Sequence, residues 1–404
     1  MSSPVRAYGL HDLTAPLGAV AFRRDVHGRT FHLFTGEPGD RFDALFGWQD
    51  LNSLLSHHRL TPRQLRVVRD GKLIASDEYM VPELTRRQVP WHRLDPGALA
   101  AEARSGATLV LSEVDAFHAG VGRLAAAVEH ELRERVEVTA YAAWPGTKGY
   151  GTHRDDHDVL VLQLGGRKRW RLHGRAAGPA GAALAADGTA GPAVADVVLE
   201  PGQVLYLPRG WWHSACAEEG PSLHLTLGVW RPTAADLLGW LGSVLPDDPE
   251  LDVTAVRDKG PGARAGVLSR LRAALDERLA DPAVLETFFA ERDAAHPART
   301  AFAFPYAAAD GPVASPDPEP DLDAGVRLTA TRAVIEESPH GVVLRAGGAA
   351  RRFDPALRPV LSTLLTGRTV ALADLAAHLD GDRAAVRRAV LDLLAAGLLT
   401  VETV

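Results

Sequence analysis

The hydrophobic pattern of the chain changes period several times, and each change indicates a different kind of element. Over residues 1–89 short strands alternate with helical spacing: residues 29–36 predict a strand that ends at Gly36, and residues 42–58 predict a helix. The dipeptide Asp70-Gly71 suits a tight hairpin turn. This first part is therefore expected to be an α/β extension of the core that follows it.

Residues 90–232 are expected to form the core of the chain. A buried strand at 107–114 and an amphipathic helix beginning near Val121 come first. From Val136 to Trp230 short apolar strands are separated by Gly and Pro, which is typical of a barrel or jelly roll. An Ala/Gly-rich stretch at 175–195 is interpreted as a surface loop.

After Pro232 the pattern returns to helices. Residues 233–309 are expected to be a helical dimerisation region, 310–325 a Pro- and Asp-rich linker, and 326–404 a winged-helix-like domain. The fold class is thus α+β, with a double-stranded β-helix (jelly-roll or cupin) core. Because no uncharged apolar run of about 18 residues occurs, no membrane span is expected.

Composition narrows the chemistry. The chain has 44 basic and 51 acidic residues, a formal net charge of −7, which argues against a nucleic-acid partner. The one cysteine, Cys216, excludes an internal disulfide and a cysteine-rich zinc site. The first 22 residues lack a basic segment followed by a long apolar stretch, so no signal peptide is expected. These features favour a cytoplasmic location.

Two histidines and a carboxylate are the candidate metal ligands. In an extended segment residues two apart point to the same face, so His153 and Asp155 can reach one interior point. His213 follows a Pro-Arg-Gly turn and supplies a third donor. Two imidazoles and one carboxylate suit Fe(II) and leave coordination positions open. Because an H-x-D tripeptide alone is weak, His157 and His224 remain competing ligands.

A lysine on an inward strand face is the candidate anion site. The pair Gly165-Gly166 is interpreted as a turn between two strands, and Lys168 begins the second of them. Lys168, Trp170 and Leu172 share one face, whereas the arginines between them face solvent. A buried lysine is costly without an anion, and the distal carboxylate of 2-oxoglutarate would be that anion. A lysine that snorkels to the barrel rim is the competing interpretation.

Polar side chains on two further strands are candidate cavity residues. Thr139 and Tyr141 share a face on the strand that leads to the metal motif. His224, Thr226 and Gly228 share a face opposite the leucines of a later strand. Each polar residue could instead be a satisfied member of the core, and both interpretations stay open.

Three segments together resemble the JmjC oxygenases, and more closely their cupin-like ribosomal oxygenase branch: THRDDHDVLVLQLGGRKRWRL, LPRGWWHSA and SLHLTLG. Lys168 lies thirteen residues after Asp155, as in that family. The resemblance covers residues 90–232 and implies Fe(II) at the metal motif and 2-oxoglutarate at Lys168. It also implies that polar residues near Thr139, Tyr141 and Gly228 flank the cosubstrate, and Thr226, on the same strand face as Gly228, is a further candidate contact. The branch often has Asn at the position of Thr139 and Ser at that of Gly228, so both contacts depart from the pattern.

The resemblance also implies an activity. The expected reaction is hydroxylation of an amino-acid side chain in a ribosomal protein or in the precursor of a peptide natural product, by a homodimer. A methyl-lysine demethylase with the same iron site and a non-enzymatic cupin and winged-helix regulator are the alternatives. Arg383, Arg387 and Arg388 are nearly balanced by nearby acids, which favours a structural or protein-contact role for the winged helix over DNA binding.

Overall fold

The structure is a computed structural model that describes residues 8–36, 41–175, 183–184, 190–245, 257, 259–303, 325–379 and 381–402. The chain divides into two compact units, Met1–Arg231 and Pro232–Val404. Except for Gly325, the predicted linker lies outside the described residues, as does most of the predicted surface loop at 175–195. No helix of the described residues is long and apolar enough to cross a membrane.

The first unit combines short helices with many strands. Its described α-helices are α1 (Leu10–Leu13), α2 (Ala19–Ala21), α3 (Trp48–His57), α4 (Pro96–Arg104), α5 (Val114–Phe117) and α6 (Ala119–Leu132). Its described strands are β1 (His32–Phe34), β2 (Leu65–Arg69), β3 (Lys72–Leu73), β4 (Met80–Leu84), β5 (Pro90–Leu94), β6 (Thr108–Leu111), β7 (Arg135–Ala143), β8 (His153–Arg154), β9 (Asp158–Arg175), β10 (Ala183–Leu184), β11 (Ala195–Leu199), β12 (Val204–Leu207) and β13 (Trp211–Trp230).

The core is built on the two long strands β9 and β13. The first half of β9 pairs with β12 and with the second half of β13, in a sheet that continues through β7, β6 and β2. The second half of β9 pairs with β11 and with the first half of β13, which also pairs with β8. Each long strand therefore passes from one sheet to the other, and the result is the predicted jelly-roll core of cupin type.

The predicted turn at Gly165-Gly166 is wrong, because both glycines lie inside the continuous strand β9. Gly166 has φ +65°, and a Cβ there would lie 2.0 Å from the carbonyl oxygen of Pro221 on β13. Gln163 Nε2 donates to the carbonyls of Gly165 and Gly166 at 2.9 and 3.1 Å. The glycines thus permit a close approach where the strand bends between sheets, and the chain does not reverse there. The two strands predicted within 211–230 are likewise one strand, β13.

Both faces of the larger sheet are buried. Leu160 and Leu225 belong to a core shared with residues of α3 and α6. On the opposite face Val161 packs in a second core with Trp170 and Leu172 from the smaller sheet. The strict alternation of side chains along β9 therefore places one set toward the helices and the next set between the sheets.

The second unit holds the remaining elements. Its described helices are α7 (Ala234–Ser243), α8 (Pro261–Ala280), α9 (Val284–Ala295), α10 (Arg358–Leu364), α11 (Leu372–Ala377) and α12 (Arg383–Ala395). Its described strands are β14 (Gly325–Leu328), β15 (Val334–Ser338), β16 (Gly341–Ala346), β17 (Ala349–Phe353), β18 (Val370–Ala371) and β19 (Leu399–Glu402). Helices α10 to α12 and strand β19 lie within residues 326–404, the range predicted to be winged-helix-like, and the same range contains the antiparallel sheet β15-β16-β17. The winged-helix assignment itself stays a prediction.

Candidate metal centre and cosubstrate cavity

The structure brings the three predicted metal ligands together. His153 on β8 is the register partner of His213 on β13, and Asp155 follows directly after β8. An oxygen of Asp155 lies 4.0 Å from Nε2 of His153, and the other lies 3.6 Å from Nε2 of His213. One ligand atom from each residue lies within 4.8 Å of the other two. Two distant stretches of chain therefore present two nitrogens and a carboxylate to one point.

Backbone carbonyls fix the orientation of both imidazoles. Nδ1 of His153 lies 3.2 Å from the carbonyl oxygen of Gly151, and Nδ1 of His213 lies 2.9 Å from that of Trp211. A carbonyl oxygen only accepts, so each Nδ1 donates to it, and each Nε2 faces Asp155. Burial, together with the neighbouring His153, lowers the pKa of His213, which keeps this ring neutral at pH 7. This is the form that a metal ligand requires.

The two competing histidines are engaged elsewhere. Nδ1 of His157 lies 2.8 Å from Oδ1 of Asp156, and its ring stacks on Trp230 with centroids 4.4 Å apart. His224 stacks on Tyr141 with centroids 4.8 Å apart and an interplanar angle of 3°. Within the described ranges no other group of three histidine, cysteine or acidic side chains converges in this way.

A cavity opens between the two sheets beside the triad. Its lining residues are Thr108, Tyr141, Lys148, Gly149, Tyr150, His153, Asp155, Val159, Val161, Lys168, Trp170, His213, Ala215, His224 and Thr226. Three of the predicted cosubstrate residues, Lys168, Tyr141 and Thr226, thus face the same space as the metal ligands. Thr139 does not line the cavity, although it is the register partner of Thr226.

Lys168 faces inward and does not snorkel to the rim. It is 4% exposed, and Nζ lies 5.8 Å from the ring centres of both Tyr141 and Trp170. No acidic side chain of the described residues forms an ion pair with it, and burial lowers its pKa to about 7. A bound anion would stabilise the charged form of this lysine.

Two more polar groups beside Lys168 have unmet hydrogen-bonding capacity. Nδ1 of His224 and Nε1 of Trp170 are buried without a hydrogen-bond partner among the described residues. Burial, and then Lys168, lower the pKa of His224, which is 1% exposed and therefore neutral. This end of the cavity is polar but not internally satisfied.

The loop between β7 and β8 supplies lining residues that were not predicted from the sequence. Lys148, Gly149 and Tyr150 border the cavity, and the ring of Tyr150 lies 5.6 Å from that of His153. The carbonyl oxygen of Gly149 accepts from the amide of Gly71, so the loop is held by the β2–β3 hairpin. The only sequence signal for this role was the position of the loop directly before the metal motif.

The chain is similar in sequence to proteins of known family. Residues 116–237 match the JmjC domain family. Ribosomal oxygenase 1 of Homo sapiens is 30% identical over 274 residues, which are 66% of this chain and 40% of that protein. The bifunctional lysine-specific demethylase and histidyl-hydroxylase NO66 of Drosophila pseudoobscura pseudoobscura is 28% identical over 229 residues, 55% of this chain and 23% of that protein. The chain thus spans less than half the length of these relatives.

Solved structures agree on the fold. The ribosomal oxygenase YcfD of Escherichia coli, in complex with cobalt and 2-oxoglutarate, superposes with a TM-score of 0.59 at 18% identity, covering 95% of this chain and 98% of that one. A second structure of YcfD covers 94% of this chain and 97% of its own, with the same TM-score. The fold, the triad and the family match over residues 116–237 together indicate a JmjC-type jelly-roll domain. Within that class, the chain is similar to the ribosomal oxygenases.

Proposed function

We propose that this protein is an Fe(II)- and 2-oxoglutarate-dependent oxygenase that hydroxylates an amino-acid side chain in a polypeptide. One observation carries the proposal. A two-histidine, one-carboxylate triad with both Nε2 atoms facing the carboxylate shares a cavity with a buried lysine that has no acidic partner among the described residues. The first feature fits a divalent metal and the second fits an anion.

The donor set fits Fe(II). Two neutral imidazoles and one carboxylate form the facial triad of non-haem iron oxygenases and leave coordination positions open. His153, Asp155 and His213 would hold the ion, and the carbonyls behind the two imidazoles would fix their orientation. No cysteine takes part, so a structural zinc site of the thiolate kind does not fit.

The far end of the cavity fits the distal carboxylate of 2-oxoglutarate. Lys168 would form the ion pair, with the hydroxyls of Tyr141 and Thr226 as flanking hydrogen-bond donors. Burial raises the pKa of Tyr141, so its phenol stays protonated and can donate. Thr139 remains a candidate only for an indirect contact, since it does not line the cavity.

The residues divide the work between binding, orientation and exclusion of water. When bound, the iron with 2-oxoglutarate and oxygen supplies the oxidant for an unactivated C–H bond. The triad would hold the metal, and Lys168 would anchor the distal carboxylate of the cosubstrate. Val161, Trp170 and Ala215 give the cavity an apolar wall that limits side reactions with water. No acid-base pair is required, and none is assigned.

The proposed substrate is a side chain of a ribosomal protein, in line with the names of the relatives. A precursor of a peptide natural product is the second substrate class. Demethylation of methyl-lysine is the competing reaction, because the name of the Drosophila relative includes that activity for that protein. Incubation of the iron-loaded protein with candidate polypeptides separates these possibilities. Succinate release with a stable gain of one oxygen by mass spectrometry supports hydroxylation, and loss of a methyl group supports demethylation.

A non-enzymatic regulator is the third outcome. It would release no succinate with any substrate, and it would bind DNA with an affinity that falls steeply as salt rises. Arg383, Arg387 and Arg388 of α12 lie close in sequence to Asp382 and Asp392, which offset much of their positive charge. We therefore propose that the winged helix of residues 326–404 contacts another protein and does not bind DNA. We also propose a cytoplasmic location.

The proposed dimerisation region is supported by apolar side chains on α7, α8 and α9. These are 45% to 64% exposed and comprise Leu238, Leu268, Leu279, Leu285 and Phe289. Exposed apolar groups at this density are typical of protein interfaces. Light scattering should show a dimer that Leu268→Glu converts to a monomer, whereas Val20→Glu, at an exposed apolar position of the first unit, leaves it unchanged. A wild-type monomer would refute the dimer.

A further inference from the structure

One buried carboxylate outside the triad accepts four hydrogen bonds from three different residues. Asp158, the first residue of β9, is 1% exposed. It accepts from Nε and Nη2 of Arg231 at 2.8 and 3.1 Å, from the amide of Arg209 at 2.8 Å, and from the hydroxyl of Tyr206. Its side chain therefore links the start of β9, the end of β12 and the end of β13.

The same carboxylate reaches the segments that carry the metal ligands. Asp158 lies three residues after Asp155, and Arg209 begins the turn that leads to His213. In that turn the amide of the next residue, Gly210, donates to the carbonyl oxygen of Asp155 at 2.9 Å. Two consecutive amides of the turn before His213 thus bind the segment of Asp155. The amide of Gly210 binds the backbone carbonyl of Asp155, and the amide of Arg209 binds the side chain of Asp158.

An N-terminal segment, His27 and Gly28, also contacts the hydrogen-bond network of Asp158. The amide of Gly28 donates to the hydroxyl of Tyr206 at 2.6 Å, and Nε2 of His27 lies 3.5 Å from Asp158. Burial lowers the pKa of His27, so this ring is neutral and Arg231 supplies the positive charge. A Cβ at position 28 would lie 2.6 Å from the guanidinium of Arg231, so the glycine allows the segment to approach.

We propose that Asp158 is a positioning residue for the metal centre, whose carboxylate holds the segment of Asp155 at a fixed separation from the segment of His213. The inference rests on the proposed iron site. A network of one buried carboxylate and four donors is rigid only while every member is paired. Loss of the charge leaves Arg231 unpaired, loosens the turn at 208–210, and lets His213 move relative to Asp155.

A second buried pair in the chain provides the matched control. Asp293 of α9 binds Arg332 through Nε at 2.8 Å, and both residues are buried in the second unit. Asp293→Asn therefore removes the same kind of buried charge from a network that contains no proposed metal ligand. It should lower stability without affecting the metal.

The experiment is a Co(II) titration of the full-length, metal-free protein, followed by the visible absorption bands of the bound ion. The wild type should bind one Co(II) and His213→Ala none. Asp158→Asn should bind about 10- to 100-fold more weakly, the range for groups that orient ligands, with an altered Co(II) spectrum. Asp293→Asn should keep the wild-type affinity and spectrum. Thermal melts of each metal-free variant show how much folded protein is present.

The outcomes separate the two proposals. If the wild type binds no Co(II), the proposed function itself fails. If the wild type binds Co(II) and folded Asp158→Asn binds it with unchanged affinity and spectrum, only the positioning role is overturned. If Asp158→Asn does not fold, Arg231→Lys is measured instead. This variant keeps the carboxylate of Asp158 and a positive charge at position 231, but a lysine cannot form both hydrogen bonds that Nε and Nη2 of Arg231 donate to Asp158. Weaker Co(II) binding by Arg231→Lys supports the role, and unchanged binding overturns it.

Discussion

The two ends of the cavity are built differently. At the metal end each imidazole is fixed by a backbone carbonyl, and one ligand atom from each of the three residues lies within 4.8 Å of the other two. At the opposite end Lys168 has no acidic partner in the described residues, and His224 and Trp170 each have a buried nitrogen without a hydrogen bond. The orientation of the metal ligands is thus fixed by hydrogen bonds within the protein, whereas the groups around Lys168 lack partners that a bound anion would supply.

The metal ligands are held in position before binding, whereas Lys168 carries the free-energy cost of a buried charge. The pKa of Lys168 falls from 10.5 to about 7, which corresponds to roughly 5 kcal/mol of lost preference for the charged form. An anion at this end would recover much of that free energy on binding. The metal end should therefore tolerate few changes in geometry, and the lysine end should respond mainly to charge and pH.

The largest effect is expected at the metal end. His213→Ala should abolish Fe(II) retention and turnover, because it removes one of three ligands, while the chain still folds. Metal content after reconstitution and a thermal melt measure both properties. His157→Ala is the matched control, since His157 contacts Asp156 and Trp230 instead of the triad. Equal metal loss in both variants would contradict the ligand assignment.

A smaller effect is expected at the lysine end. Lys168→Ala should raise the 2-oxoglutarate concentration required for half-maximal turnover at least about 30-fold, as for the loss of one partner of a buried charge pair. Arg169→Ala, on the outer face of the same strand, should leave it unchanged because Arg169 pairs with Glu218 and Asp196. An unchanged requirement in Lys168→Ala would remove this lysine from the site.

The same lysine should make stability depend on pH. Its folded pKa of about 7 lies below its unfolded value of 10.5, so between these pH values the unfolded chain binds more protons. The stability of the metal-free wild type should therefore rise with pH in this window relative to Lys168→Met, by up to about 1.4 kcal/mol per pH unit. Denaturant melts at pH 7, 8 and 9 measure the difference. Parallel curves for the two proteins would show that Lys168 is charged throughout.

The two threonines should give the smallest effects. Thr226→Val should weaken 2-oxoglutarate binding by about fivefold, the equivalent of one hydrogen bond of about 1 kcal/mol. Thr139→Val should change binding less than Thr226→Val does, because Thr226 lines the cavity and Thr139 does not. Calorimetric titration of the Mn(II)-loaded variants under identical conditions compares them. A larger effect at Thr139 would reverse their assignment.

The metal ligands could be predicted from the sequence because two of them are close in sequence and the third follows a recognisable turn. His153 and Asp155 lie two residues apart, and the Pro-Arg-Gly turn before His213 marks the return of the chain. Lys168 could be placed on the inward face because strand alternation fixes it once the strand is recognised. The closeness of the two segments could not be derived from spacing alone and came from the family resemblance.

The bends and the lining loop could not be predicted. A Gly-Gly pair fits a hairpin as readily as a strand bend, and only the approach of Pro221 to Gly166 distinguishes them. Tyr150 lines the cavity because the β2–β3 hairpin holds its loop, which is a tertiary contact with no local signal. The strands between 334 and 353 were missed because their residues alternate weakly and carry several charges.

The most direct measurement of the central proposal is the visible absorption of the anaerobic protein with Fe(II) during titration with 2-oxoglutarate. Chelation of the iron by this cosubstrate produces a charge-transfer band. The band should develop to one equivalent in the wild type, require far more 2-oxoglutarate in Lys168→Ala, and be absent in His213→Ala. A wild-type protein that binds Fe(II) but shows no band at saturating 2-oxoglutarate would contradict the proposed oxygenase.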